Sequence, residues 1–170
     1  MMDIAIRPYR VEDAKPVFEA IEESKDDIMQ WMPWCHPDYS IEDSKSYLAI
    51  SVTGFERGEI YDFAVLRDGH FVGACGLNQV NVIEGVANMG YWLRSSEAGN
   101  GIMPMAAKKV INWAFENTEL NRIEIVAAVG NNRSQRVAEK IGAHKDAVLA
   151  KRILIDGKPC SAVLYSVIKD

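Results

Sequence analysis

The chain has 170 residues, 48% hydrophobic and 25% charged, which suits one domain with a sizeable core and is short for two. Its formal charge of -5, from 24 acidic and 19 basic residues, argues against sequence-independent nucleic-acid binding, which needs a basic face to displace counterions. Cys35, Cys75 and Cys160 form an odd, widely spaced set, and His36, His70 and His144 are equally scattered, so neither a disulfide framework nor a metal site is expected. No stretch approaches the ~20 apolar residues of a membrane span, and no apolar signal core precedes the first strand-like segment, so the expected location is the cytoplasm.

Ile4–Pro8 alternates like a strand. A helix is predicted over residues 12–23, with Ala14, Val17, Phe18 and Ile21 on one face. Residues 26–39 hold two prolines beside Trp31, Met32 and Trp34, which predicts irregular chain with a large apolar surface. A second helix is predicted from Ser40 to about Phe55, with Glu42 and Asp43 at its positive end. Strands follow over Tyr61–Arg67, residues 71–79 and Val86–Leu93, the first two joined by the hairpin turn Asp68-Gly69. A helix over residues 103–116 buries Ala106, Ala107, Val110, Ile111, Ala114 and Phe115. Residues 122–129 read as a buried strand and residues 134–141 as a short helix stopped by Gly142. The last strands, residues 147–155 and 160–168, flank Asp156-Gly157; the final one is an expected edge strand through which a homodimer could pair. The order β-α-α-β-β-β-α-β-α-β-β, with one strand-helix-strand crossover over residues 86–129, predicts an α+β domain on one central mixed sheet.

Two strand-to-helix junctions could carry chemistry. In the first, Tyr91-Trp92-Leu93 leads through Gly99-Asn100-Gly101 into Ile102 and Met103. Backbone N–H groups at a helix start are unpaired and sit at the positive end of the dipole, and glycines let a phosphate approach them. In the second, residues 127–130 lead into Asn131-Asn132-Arg133-Ser134, where either asparagine could cap the helix. Ligands of crossover sheets bind at the carboxyl ends of neighbouring parallel strands, so Asn131 and Ser134 would face whatever the glycine turn holds. Lys108, Lys109, Arg133 and Arg136 could add attraction for phosphates, although charged helix faces are commonly just solvated.

Together these segments resemble the GNAT superfamily of acetyl-CoA-dependent N-acetyltransferases, and within it the RimJ/RimL branch of ribosomal-protein N-terminal acetyltransferases. The residues that carry the resemblance are Ile4-Ala5-Ile6-Arg7-Pro8, Trp31-Met32-Pro33-Trp34, Gly90-Tyr91-Trp92-Leu93 and the glycine turn. Leu120-Asn121-Arg122 and the most specific run, Asn131-x-x-Ser134-x-x-Val137-x-Glu139-Lys140-x-Gly142, complete it. The resemblance implies a twisted, mostly antiparallel sheet of about seven strands flanked by about four helices. It also implies that Tyr91, Trp92 and Leu93 splay from the neighbouring strand and bind the pantetheine arm through their backbone. Gly99, Asn100, Gly101, Ile102 and Met103 would bind the pyrophosphate, Asn131 the pantetheine, and Ser134 the sulfur, where it donates a proton to the leaving thiolate. Trp31, Trp34 and Asn88 would border the acceptor.

Two departures from the family pattern stand out. Ala98 replaces a Gln or Arg at the start of the turn, and Met103 is large where a small residue is usual and could crowd the cradle. Asn88 stands where many relatives carry a glutamate base, and an amide takes up no proton at neutral pH. The base is then water, another carboxylate such as Glu84, or absent because the amine arrives neutral. The resemblance implies transfer to a protein N-terminal amine of ribosomal-protein type; a small amine such as a polyamine or amino sugar, or a non-catalytic acyl-CoA-binding module, are the alternatives.

Overall fold

The computed structural model describes residues 2–170. Its strands are β1 Ile4–Pro8, β2 Tyr61–Arg67, β3 His70–Asn81, β4 Val86–Leu93, β5 Arg122–Ala128, β6 His144–Ile155 and β7 Lys158–Ile168. They form one seven-stranded sheet in the order β1-β2-β3-β4-β5-β7-β6. Every neighbouring pair is antiparallel except β4 and β5, which the crossover makes parallel. Four helices flank it: α1 Ala14–Met29, α2 Ile41–Arg57, α3 Ile102–Asn117 and α4 Asn132–Lys140. The α+β architecture with seven strands and four helices is the expected one.

Side-chain alternation divides the strands between two cores. Phe63, Val65, Cys75, Leu77, Ala87, Met89, Ile123 and Ile125 join the buried face of α3, while Ala64 and Ala74 join Val17, Ala20, Ile21 and Ile28 of α1 and Leu48 of α2. Phe55 near the end of α2 reaches the α3 layer, its ring 5.4 Å from that of Trp113 and 5.5 Å from that of Phe63.

The first helix runs further than the predicted residues 12–23. Ser24 and Ile28 continue the buried stripe of Val17, Ala20 and Ile21, and nothing in Asp26-Asp27 stops a helix, so α1 reaches Met29. The second is defined by a capping box, in which Ser40 Oγ accepts from the Asp43 N–H at 3.4 Å and Asp43 Oδ2 accepts from the Ser40 N–H at 2.8 Å. It stops at Gly58, whose φ of 72° suits a residue without Cβ.

The last strand is not the edge it was expected to be. β7 lies between β5 and β6, and the edges are β1 and β6. Burial explains the exchange: Ala162, Val163, Tyr165 and Ser166 of β7 are buried, whereas β6 has no buried residue and suits the solvated margin. A subunit contact through β7 is therefore closed off.

Arg7 of β1 donates twice to Asp13 at 2.7 Å, and the Arg10 N–H donates to the same carboxylate at 2.8 Å, fixing the entry to α1. Burial works to raise the Asp13 pKa, but the Arg7 guanidinium and the Arg10 N–H outweigh it and hold the carboxyl below its ordinary value. A depressed folded-state pKa gives stability that is present above the unfolded value of about 3.9 and lost as the pH falls through the folded value. Asp13→Asn is expected to cost about 1–3 kcal/mol in urea unfolding at pH 7. The difference from the parent should shrink at about pH 3, and an equal difference at both pH values would refute this account.

Candidate active site

β4 and β5 pair only at Val86↔Arg122, Ala87↔Ile123 and Asn88↔Glu124. Beyond that level β4 continues against β3 as far as Leu93, and β5 against β7 as far as Ala128. Residues 89–93 and 125–128 therefore turn unpaired backbone edges toward each other across a gap. A ligand that supplies donors and acceptors can stand where the next strand would.

A cleft of about 750 Å³ lies over this gap and takes in both predicted junctions. Tyr91, Trp92 and Leu93 line one wall, Gly99, Gly101, Ile102 and Met103 the end, and Asn131 and Ser134 the opposite wall. Asn100 is exposed at the crest of the turn and is not part of the lining. Gly99 and Gly101 have φ of 83° and 74°, and a Cβ built on either would meet nothing within 4 Å, so both are glycine for their backbone conformation and leave open space above them. Gly101 precedes α3 as its N-cap, one residue earlier than the predicted start. Ile102 and Met103 are 1% and 5% exposed and packed into the α3 core. Met103 therefore does not fill the cradle; its side chain points to the core and its N–H stays in the free first turn.

The turn is held from behind by α1, a link the sequence does not announce. Ser95 N–H donates to Ser24 Oγ at 2.9 Å and Ser95 Oγ to Asp27 at 2.6 Å. Glu23 accepts from Ser96 Oγ at 2.5 Å and pairs with Arg94 at 2.6 Å. Its carboxyl is pulled below its ordinary value by Ser96 first, and also by Arg94.

The second junction resolves the open choice of cap. Asn131 is the N-cap of α4, its Oδ1 accepting from the Ser134 N–H at 3.1 Å. That bond uses the amide oxygen and leaves the Asn131 NH2 for a ligand. Tyr91 reaches across the gap to the same turn: its hydroxyl donates to Ser134 O at 2.9 Å and lies 3.1 Å from Ser134 Oγ. A phenol has one proton, so with that proton on the carbonyl the Ser134 hydroxyl is the donor to Tyr91 Oη. Burial keeps the Tyr91 phenol protonated far above neutral pH.

A second cavity of about 470 Å³ opens on the other side of these groups. Trp31, Met32, Tyr91, Asn131 and Ser134 line both cavities, so the two adjoin at these residues. Trp31 stands against the end of β5, its ring 3.5 Å from where a Cβ on Gly130 would lie. Trp34 lines neither cavity; it is 45% exposed, 6.0 Å from the Tyr39 ring and 6.3 Å from that of Trp92. Asn88 also lines neither; its Nδ2 donates to Asn78 across the β3–β4 pair at 3.0 Å. Glu84 sits outside both cavities, and Glu124, level with Asn88, is ion-paired to Arg122 at 2.7 Å. No Asp or Glu among the described residues lines the second cavity. In the first, Arg133, Arg136 and Lys140 of α4 face Asp27, while Lys108 and Lys109 stay outside.

Residues 3–144 match the acetyltransferase (GNAT) domain family. The chain belongs to that family. This GNAT chain is 29% identical to YdaF of Bacillus subtilis (strain 168), over 98% of its own length and 91% of that protein's. It is 26% identical to the ribosomal-protein-serine acetyltransferase of Escherichia coli (strain K12), over 92% of this chain and 87% of that one. Among solved structures, the RimL ribosomal L7/L12 alpha-N-protein acetyltransferase in complex with coenzyme A superposes with a TM-score of 0.93 at 19% identity, covering 98% of this chain and 94% of that one. The GNAT chain therefore shares the fold of that enzyme.

Glu23→Gln removes the charge that anchors Ser96 and Arg94 to α1. Hydrogen exchange of the amides at residues 95–101 is expected to accelerate while global stability falls by about 1 kcal/mol or less. Unchanged exchange at those amides would show that α1 does not hold the turn.

Proposed function

We propose that this GNAT acyltransferase moves an acetyl group from acetyl-CoA to the α-amine of a protein N-terminus in the cytoplasm; the E. coli relative is named for a ribosomal-protein serine, and the similar RimL structure for alpha-N-protein acetylation. The observation that supports it best is the gap between β4 and β5, bordered at one end by the glycine turn and on one wall by Ser134.

The residues present fit acetyl-CoA. The open edge at residues 89–93 offers backbone partners to the two amides of a pantetheine arm. The first turn of α3 and the space above Gly99 and Gly101 suit a pyrophosphate, and Arg133, Arg136 and Lys140 add positive charge. Acetyl-CoA supplies the acetyl group as a thioester. To offer its one proton to the sulfur, the Ser134 hydroxyl would turn it away from Tyr91 Oη, and Tyr91, kept protonated by burial, would turn its own proton from Ser134 O to Ser134 Oγ. Trp31 and Met32 narrow the passage between the two cavities and keep water from the reacting centre.

The wall of the second cavity bears on the choice of amine. With no carboxylate there to take a proton, the acceptor has to arrive neutral or lose its proton to water. An α-amine titrates near 7.7–8.0 and a lysine-type amine near 10.4, so about two orders of magnitude more of the α-amine is neutral at physiological pH. That favours a chain terminus over a polyamine or a lysine side chain.

Thiol release and mass spectrometry with N-terminal peptides, N-acetylated peptides and polyamines test the reading. Transfer to free N-termini supports it; transfer to polyamines alone, or none, refutes it. With an N-terminal peptide, kcat/KM should rise with unit slope to a plateau near pH 8, the pKa of the amine. A limb near pH 4–6 would expose an enzyme carboxylate acting as base. Ser134→Ala is expected to lower kcat by about 10²-fold with little change in acetyl-CoA affinity, and unchanged kcat would reduce Ser134 to a helix-start residue.

A further inference from the structure

The second cavity carries one cation, the exposed Arg152, with no ion-pair partner among the described residues. Arg152 lines it together with Trp31, Met32 and Pro33, and no Asp or Glu among the described residues does. Arg152 forms no ion pair among the described residues. The backbone is irregular at this point. β6 and β7 pair at Leu149↔Ala162 and again at Ile153↔Cys160, so residues 150–152 lie opposite Ser161 alone. Lys151 takes a φ of 51°, a left-handed conformation that is unfavourable for a residue with a Cβ. A bulge re-aims the side chains that follow it, and here it sets Arg152 on the cavity wall.

We infer that Arg152 selects acceptors that carry a carboxylate close to the reacting amine, an inference that rests on the amine-acetylation reading above. Guanidinium binds carboxylate through a planar pair of N–H donors, and its positive charge opposes a second ammonium on the acceptor. A polyamine would place its extra ammonium groups in a cavity with a cation and, among the described residues, no anion. An amine with a nearby carboxylate gains the pair, while the aromatic and apolar wall of Trp31, Met32 and Pro33 covers its carbon skeleton. Two sources offer that chemistry: an acidic side chain within the first few residues of a peptide, and the α-carboxylate of a free amino acid.

The full-length protein is assayed at low ionic strength with acetyl-CoA and matched peptides carrying Asp, Asn or Lys in turn at the second to fourth positions, alongside serine and serine amide. At the position that reaches Arg152, kcat/KM for Asp is expected to exceed that for Asn by about fivefold, with Lys lowest. The advantage should shrink as salt is added. Arg152→Glu should invert the Asp-to-Lys order and Arg152→Gln should flatten it. A preference for serine over serine amide, without one among the peptides, assigns the carboxylate to a free amino acid; the reverse assigns it to an acidic N-terminus. Equal kcat/KM across all charges, or an unaltered order in Arg152→Glu, overturns the inference while leaving N-terminal acetylation standing. Failure of every amine to be acetylated overturns that reading and this one with it.

Discussion

The site depends on a ladder that stops. β4 has a full partner on one side and only three paired residues on the other, so the sheet opens at the level of Asn88 and Glu124. A bulge marks the same level: the β3–β4 register shifts between Asn78 and Asn81, and Gln79 adopts a φ of 49°. Bulges raise local twist, and a strand twisted away from its neighbour loses the next hydrogen bonds first. Unpaired strand edges inside a protein are costly unless something satisfies them, so the gap is stable as a place for a polar, extended ligand. Tyr91 then keeps the gap at a fixed width. Its ring spans from β4 to the first turn of α4, a side-chain strut where a backbone ladder is missing.

The remaining parts of the site are fastened to this opening from both faces of the sheet. α3 and α4 lie on one face and bring the glycine turn and Ser134; α1 lies on the other and brings Trp31 just beyond its end. The fastening of Arg94, Ser95 and Ser96 to Glu23, Ser24 and Asp27 crosses between these layers. One helix thus positions both the segment leading into the glycine turn and the aromatic wall. Each exposed pair in that network is worth little alone, but together they leave the turn few ways to move.

The order of elements was legible in the sequence because hydrophobic period and turn chemistry agreed along most of the chain: Asp68-Gly69, Asp156-Gly157 and Gly142 punctuate it as expected. The length of α1 was less legible. Asp26-Asp27 reads as polar loop, and only the packing of Ser24 and Ile28 shows the helix continuing. The place of β7 was not readable from local pattern, since strand order is a matter of pairing between distant residues. Of the site, backbone roles were easiest, because glycines at a strand-helix junction announce them. Side-chain roles were harder. Tyr91 was assigned for its main chain, yet its hydroxyl makes the contact to Ser134; Trp34 and Trp31 looked alike in sequence, and only Trp31 lies in the cleft. Arg152 sits in a run, Lys151-Arg152, that resembles any solvated hairpin, and its relevance arises from a bulge that no residue type advertises.

Net charge was the least informative guide to the site. A chain at -5 leaves open either a local basic patch or an acidic cleft, and the cleft has the basic excess. Arg133, Arg136 and Lys140 outnumber the single lining carboxylate, Asp27, on one side of Ser134, and Arg152 stands on the other. Other carboxylates are engaged away from the cleft: Asp13 by Arg7, Glu23 by Arg94, Glu97 by Arg67, Glu124 and Asp146 by Arg122. An excess of cations at the cleft of an acidic protein, even with Arg133 paired to Asp27 at 3.8 Å, has a physical consequence. A cleft with excess positive charge draws anionic ligands toward it and raises their local concentration there. A cofactor bearing phosphates obeys this on one side, and an acceptor bearing a carboxylate would obey it on the other. Positive charge next to the acceptor also lowers the pKa of its amine, which favours the neutral, nucleophilic form at a centre that has no carboxylate to remove the proton.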